Sequence, residues 1–164
     1  MSQVDFFLKI DGCPGESQVK GHENEIQLSS WSWGESNSGS FDTGQGGGTG
    51  KVSMQDFHFV MLVNKASPKL MEFCASGKHF DSKAVVTARK QAGDSPLDYL
   101  TIEFTSWLVS SYQTGGSSGE SIPVDQVSLN FAQVVMNYDV QKATGSGSGK
   151  ITGGWNVQTG QKAP

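Results

Sequence analysis

The chain opens on a strict alternation. Val4, Phe6, Leu8 and Ile10 take every second position, with Asp5, Phe7, Lys9 and Asp11 between them, which is the period of a half-buried strand. Gly12, Pro14 and Gly15 follow, so a first strand is predicted over 4–10. In EIQLSSWSWGES the apolar phase runs Ile26, Leu28 and then slips by one to Trp31, Trp33. Either a β-bulge or a strand with two buried faces produces such a slip, and both suit a curved, barrel-like sheet. In KVSMQDFHFVMLV, Phe57, Phe59 and Met61 share one face and His58, Val60 and Leu62 the other, which predicts a strand covered on both sides for part of its length.

The segment SPKLMEFCASG changes period. Leu70, Phe73 and Cys74 form an apolar stripe, Ser67 suits an N-cap, Pro68 the first helical position and Gly77 the position after the last turn, so a helix is predicted here as a candidate cover for that strand. KAVVTARK and DYLTIEFTSWLVSSY read as a hairpin across AGDSP, with Leu100, Ile102, Phe104 and Leu108 as the inward set. After the turn QTGGSSGESIP, the inward set of the next strand is Val127, Leu129 and Phe131, slipping to Val134, Met136 and Tyr138. The Gly/Ser stretch KATGSGSGK precedes a last short strand at WNV.

These elements describe a mostly-β chain, and composition agrees. Hydrophobic residues make up 35% of the 164 residues, beside 21 glycines, enough for one core with many turns, so one domain is expected over 1–164. The net charge of -4 and a single arginine, Arg89, leave nucleic acid an unfavourable partner. Two cysteines, Cys13 and Cys74, are too few for a disulfide scaffold and lack metal spacing; free thiols are expected, with one bridge as the alternative. MSQVDFFLKIDG lacks a secretory signal's basic start and apolar run, and no stretch reaches membrane-helix length. A cytoplasmic origin and no membrane insertion are therefore expected.

Candidate chemistry is sparse. The run from Phe41 to Lys51 looks like a phosphate loop, but Gln45 stands where its first glycine belongs and Val52 where its hydroxyl belongs. A long loop between two strands is the better reading. His22, His58 and His79 show no ligand spacing, and GSGSG at 145–149 has no helix after it to make a nucleophile elbow. No cofactor, metal or catalytic set is expected. Trp31, Trp33, Trp107 and Trp155 fill a core or subunit interface on one reading. On the alternative, Trp31, Trp33 or Trp155 serve as stacking surfaces of a carbohydrate-binding β-module.

Beyond its periods, the wording of the chain carries a resemblance. FFLKIDG with GES, HENEIQLSSWSWGESNSGSF, GKVSMQDFHF, SPKLMEFCASGKHF, LVSSYQTGGSSGE and VSLNFAQVVMNY closely resemble the haemolysin-coregulated proteins of type VI secretion, in the same order and over essentially the whole chain. The resemblance implies a compact β-barrel of two antiparallel sheets with one α-helix on its side, assembling as a hexameric ring. It also implies a non-enzymatic role: rings stack into the inner tube of a contractile apparatus, which is expelled with a spike at its tip. The implied partners are further copies of the chain, the spike protein, the contractile sheath, and small effectors carried in the ring lumen. Residues with implied roles are the ring-stacking loop at about 38–50, with Ser38, Gly39, Ser40, Phe41, Asp42, Gly46, Gly47 and Gly48, and a lumenal contact at Ser117. The chain would lie in the cytoplasm before firing and then leave by this machinery without a signal peptide.

Overall fold

The computed structural model describes residues 4–39, 41, 50–92, 95–119, 121–141 and 147–164. The strands are β1 (Val4–Ile10), β2 (Ile26–Leu28), β3 (Ser30–Ser32), β4 (Glu35–Asn37), β5 (Val52–Met54), β6 (Phe57–Leu62), β7 (Phe80–Ala92), β8 (Ser95–Gly115), β9 (Val124–Gln141), β10 (Gly147–Asn156) and β11 (Gln161–Lys162). A helix, α1 (Ser67–Ser76), lies between β6 and β7. Pairing is antiparallel throughout, in one large sheet and the small two-stranded β4–β5 sheet.

Ser29 explains how the large sheet closes. β2 pairs with β1, β3 pairs with β6, and between them the Ser29 N–H donates to the Val60 carbonyl at 2.8 Å. The strand therefore changes partner at the slip read from the sequence. From β6 the ladder runs through β9, β8 and β7 back to β1, which makes a barrel and leaves no free edge along that circuit. Its core holds Phe57, Phe59, Phe104, Trp107 and Leu129, all but sealed from solvent. Phe57 and Phe104 pack with ring centroids 4.8 Å apart, and Phe80 stacks on Trp107 at 4.3 Å.

Several expectations are corrected. Ser106 sits in the left-handed region at φ 54°, so β8 changes phase and Trp107 and Val109 point inward, not Leu108. A serine tolerates that backbone at a modest cost, which alternation cannot reveal. β9 slips after Phe131 as expected and Val134 is buried, but Met136 and Tyr138 are 37% and 41% exposed. The last strand is longer than WNV: β10 begins at Gly147 inside the Gly/Ser stretch. Gly154 is closely packed there, since a Cβ would come within 3.0 Å of Val135 Cγ2 and 3.1 Å of Ala163 Cβ.

Helix α1 starts differently from its forecast. Ala66 is the N-cap and makes no side-chain cap. Ser67 is instead buried in the first turn, its hydroxyl donating to Asp125 Oδ2 at 2.5 Å and accepting from the Asn64 N–H at 3.0 Å. Asn64 Oδ1 accepts from the Ala66 N–H at 2.9 Å, which ties down the entry turn. At the far end Gly77, at φ 63°, donates to the carbonyls of Phe73 and Cys74, as a left-handed C-cap requires. The helix packs on β8 and sends Leu70 into the core. It leaves the outer face of β6 uncovered, with Val60 half-buried and Leu62 47% exposed.

Candidate assembly surface

The long loop is placed by its two arms. β3–β4 and β5–β6 run as one interrupted hairpin, with Glu35 opposite Met54 and Asn37 opposite Val52. Asn37 clamps the neck: its amide donates to the Gly50 carbonyl at 2.9 Å, and its Oδ1 accepts from the Gly39 N–H at 2.8 Å. Gly50 leaves no room for a side chain, because a Cβ would lie 2.5 Å from the Gly39 nitrogen and 2.6 Å from the Ser38 carbonyl carbon. Ser38 and Gly39 are exposed and Phe41 is 98% exposed. Ser40, Asp42, Gly46, Gly47 and Gly48 lie outside the described residues.

Ser117 is exposed in the turn joining β8 to β9. Gly115 pairs with Val124, and Val124 with Leu62, so this turn adjoins the end of β6 while the loop neck lies beyond the start of β5. The two groups of candidate residues therefore stand at opposite ends of the same hairpin.

A groove that the sequence reading missed opens beside the loop neck. Along β9 the edge partner changes from β6, at 124–129, to β10, at 133–141. At that fork β4 and β5 diverge from the β9–β10 surface, leaving a groove of about 740 Å³. Val134, Met136, Tyr138 and Ile151 line it together with Trp33 and Trp155. Ile151 pairs with Tyr138 across the ladder and is 65% exposed. The indole N–H groups of Trp33 and Trp155 are buried without a hydrogen-bond partner. The apolar period of β9 was legible in the sequence. Its exposure was not, since that depends on where the opposing sheet ends.

Trp31 and Trp33 pack against core aromatic rings. Trp31 meets Phe6 edge to face at 5.9 Å, and Trp33 lies near Phe104 and Phe131. These contacts match the core-and-interface reading and count against the carbohydrate-binding alternative.

The main charged cluster ties the segment before β2 to the β7–β8 hairpin. His22 stacks on Phe7 at 4.4 Å, with Glu25 at 2.8 Å from one ring nitrogen and Asp98 at 2.9 Å from the other. Arg89 Nε donates to Asp98 Oδ1 at 2.7 Å, and its Nη1 donates to the Lys20 carbonyl at 2.8 Å. Partial burial pushes the Asp98 carboxyl up, but hydrogen bonds from Arg89 and His22 outweigh it and hold the group below its ordinary value. With 76 positions between His22 and Asp98, no spacing rule could have joined them.

Other reactive groups are occupied or dispersed. His58 Nδ1 lies 3.1 Å from Ser128 Oγ across the β6–β9 ladder, and among the described residues no carboxylate hydrogen-bonds its other nitrogen. Both cysteines are free thiols. Burial drives the Cys13 thiol up to about 11, and its Sγ faces the Ala66 carbonyl at 3.9 Å. Among the described residues no three His, Cys, Asp or Glu side chains gather as a metal site, and no helix is long and apolar enough to cross a membrane.

Comparison with known proteins adds a family match. The family described as "Type VI secretion system effector, Hcp" matches residues 7–138. Protein hcp1 of Pseudomonas aeruginosa is 46% identical over 161 residues, covering 98% of this chain and 99% of the relative. A solved type six secretion system protein superposes with a TM-score of 0.90 at 31% identity, covering 97% of this chain and 99% of its own. Hcp1 of Salmonella typhimurium superposes at 0.78 with 34% identity, covering 99% and 100%.

Proposed function

The chain belongs to the Hcp family of the type VI secretion system, and on that premise we propose that it is a tube subunit: one barrel domain over 1–164 that closes into a hexameric ring and stacks. The observation that carries this reading is the family match, which runs through nearly the whole barrel and is joined by a near full-length superposition. A tube protein works by assembly and needs no reaction centre.

Assembly needs a surface that is costly to leave in water and a means of joining successive rings. The open groove beside β10 supplies the first. For the second we assign the loop at 38–50, with Ser38, Gly39, Ser40, Phe41, Asp42, Gly46, Gly47 and Gly48 as its stacking residues. Glycine-rich backbone loses much conformational freedom on ordering, so each stacking contact stays weak and is multiplied by the symmetry of the ring. Ser117 is the proposed lumenal contact for small effector proteins, held one modest contact per subunit. The spike and sheath are the remaining partners. The tube leaves the cytoplasm through the secretion machinery.

Light scattering on a size-exclusion column, with negative-stain images of the peak, tests the ring. The expected result is an annular particle of six chain masses. A particle of one chain mass at every concentration, without annuli, refutes it. For the lumen, Ser117→Trp should lower the amount of effector that co-purifies with the ring; unchanged co-purification removes Ser117 from the contact.

A further inference from the structure

The segment between β1 and β2 lies over the outer face of β1 as a strap with two anchors. Its backbone bonds to itself: the Gly15 N–H donates to the Asn24 carbonyl at 2.8 Å, Asn24 to the Ser17 carbonyl at 2.8 Å, and Ser17 to the Glu25 carbonyl at 3.1 Å. At one end Glu16 Oε2 accepts from the Lys65 N–H at 3.3 Å, beside buried Cys13 and the entry to α1. At the other end His22, Glu25 and the Lys20 carbonyl meet Arg89 of β7 and Asp98 of β8. Phe7 lies beneath, on the face of β1 opposite Leu8, fully buried and stacked on the His22 ring.

At the second anchor one imidazole serves two carboxyl groups, Glu25 at 2.8 Å and Asp98 at 2.9 Å. An ionised carboxylate can accept but not donate, and a neutral imidazole carries one N–H, so satisfying both contacts takes the imidazolium. The charge count agrees. Arg89 supplies one positive charge against two carboxylates, and the side chains of His22, Glu25 and Arg89 are 7%, 11% and 15% exposed, so water screens the remaining negative charge poorly. Around them stand Lys20 and Glu23 of the strap, Asp5 and Lys9 of β1, with Asp5 opposite Arg89, and Asp11 in the hollow that Glu25 lines. Three carboxylates against two ammonium groups do not supply the missing positive charge. Protonated His22 does.

We propose that the His22 cluster is a proton-operated latch: the strap is locked over β1 while both ring nitrogens carry a proton, and it comes free when the ring gives one proton up to solvent. The vacated nitrogen then turns a lone pair toward a carboxylate oxygen, and the half-buried cluster keeps an uncompensated negative charge. One carboxylate must swing away, the His22 ring moves with it, and Phe7 loses its cover. The Glu16 anchor has no part in this, so the strap opens from the side of the β7–β8 hairpin. The latch is a property of the single chain and holds whether or not the chain forms rings.

Hydrogen exchange read by mass spectrometry on the full chain tests it, at about pH 5.5 and about pH 9, which bracket the range in which histidines change charge. Each rate is divided by that of an unstructured peptide at the same pH. In the wild type the protection of residues 15–25 should fall at least about tenfold between the two conditions, while that of β9 stays constant. Glu25→Gln removes one carboxylate and offers the neutral ring an N–H donor in its place, so the strap should stay protected at both. His22→Gln cannot carry the charge and should show low protection at both. Strap protection that is flat with pH in the wild type, or that falls as steeply in Glu25→Gln, overturns the proposal. Should Glu25→Gln lose the wild-type circular dichroism, nitrogen-15 shifts of the wild-type imidazole decide instead. Two protonated ring nitrogens are expected while the strap is protected and one once it opens; opening without proton loss overturns the latch.

Discussion

Replacing Gly50 with alanine should disconnect stacking from ring formation. The new methyl carbon would sit 2.5 Å from the Gly39 nitrogen and 2.6 Å from the Ser38 carbonyl carbon, and both are backbone atoms that cannot rotate away. The neck must open, which strains or breaks the Asn37 amide bond to the Gly50 carbonyl that crosses it at 2.9 Å. That bond is exposed, so the local loss is about 0.5–1 kcal/mol. Asn37, Ser38 and Gly39 of the neck are exposed, so the cost falls on the geometry of the loop and leaves barrel stability nearly unchanged. Size exclusion should show rings as in the wild type, while sedimentation and negative-stain imaging under crowded conditions should show fewer and shorter stacks. Stacks of wild-type length would refute the assignment of this loop to ring-to-ring contact. Loss of the rings themselves would show that the neck serves the lateral contact instead.

Three further outcomes follow from groups inside the barrel. Asp125→Ala leaves the buried Ser67 hydroxyl without its acceptor and should cost about 2–4 kcal/mol in urea unfolding at fixed protein concentration, against less than about 1 kcal/mol if the pair is incidental. Because the folded Asp98 carboxyl titrates below its ordinary value of 3.8, its contribution is present above that value and lost as pH falls further, through the folded pKa. Asp98→Asn should therefore be less stable than wild type at neutral pH and converge on it in acid, while a constant difference down to the acid limit would remove the linkage. Cys13, 1% exposed and with its thiol pushed to about 11, should resist a thiol reagent in the folded protein while the half-buried Cys74 reacts first. Equal labelling rates would contradict that ordering.

Much of the fold was written in local pattern. The alternation over 4–10 gave β1 its bounds, the slip between Leu28 and Trp31 marked a change of strand partner, and Pro68 and Gly77 bracketed α1. Such features depend on a few neighbouring residues and on the two side-chain periods, so they survive without knowledge of the rest of the chain. Whole-chain wording carried the family, and with it the expectation of a ring.

Tertiary structure decided what those periods face. Met136 and Tyr138 share the face of Val134, and alternation alone assigns all three to the core. Only the divergence of β4 and β5 from the β9–β10 surface leaves the later two open. Ser67 is a plausible cap by type and is instead bound to Asp125, 58 residues away. His22 finds Asp98 across 76 positions, through the pairing of β1 with β7 and of β7 with β8. Side-chain period is set by the backbone within a few residues, but burial and partnership depend on which distant strand arrives opposite, and that is fixed only when the barrel closes.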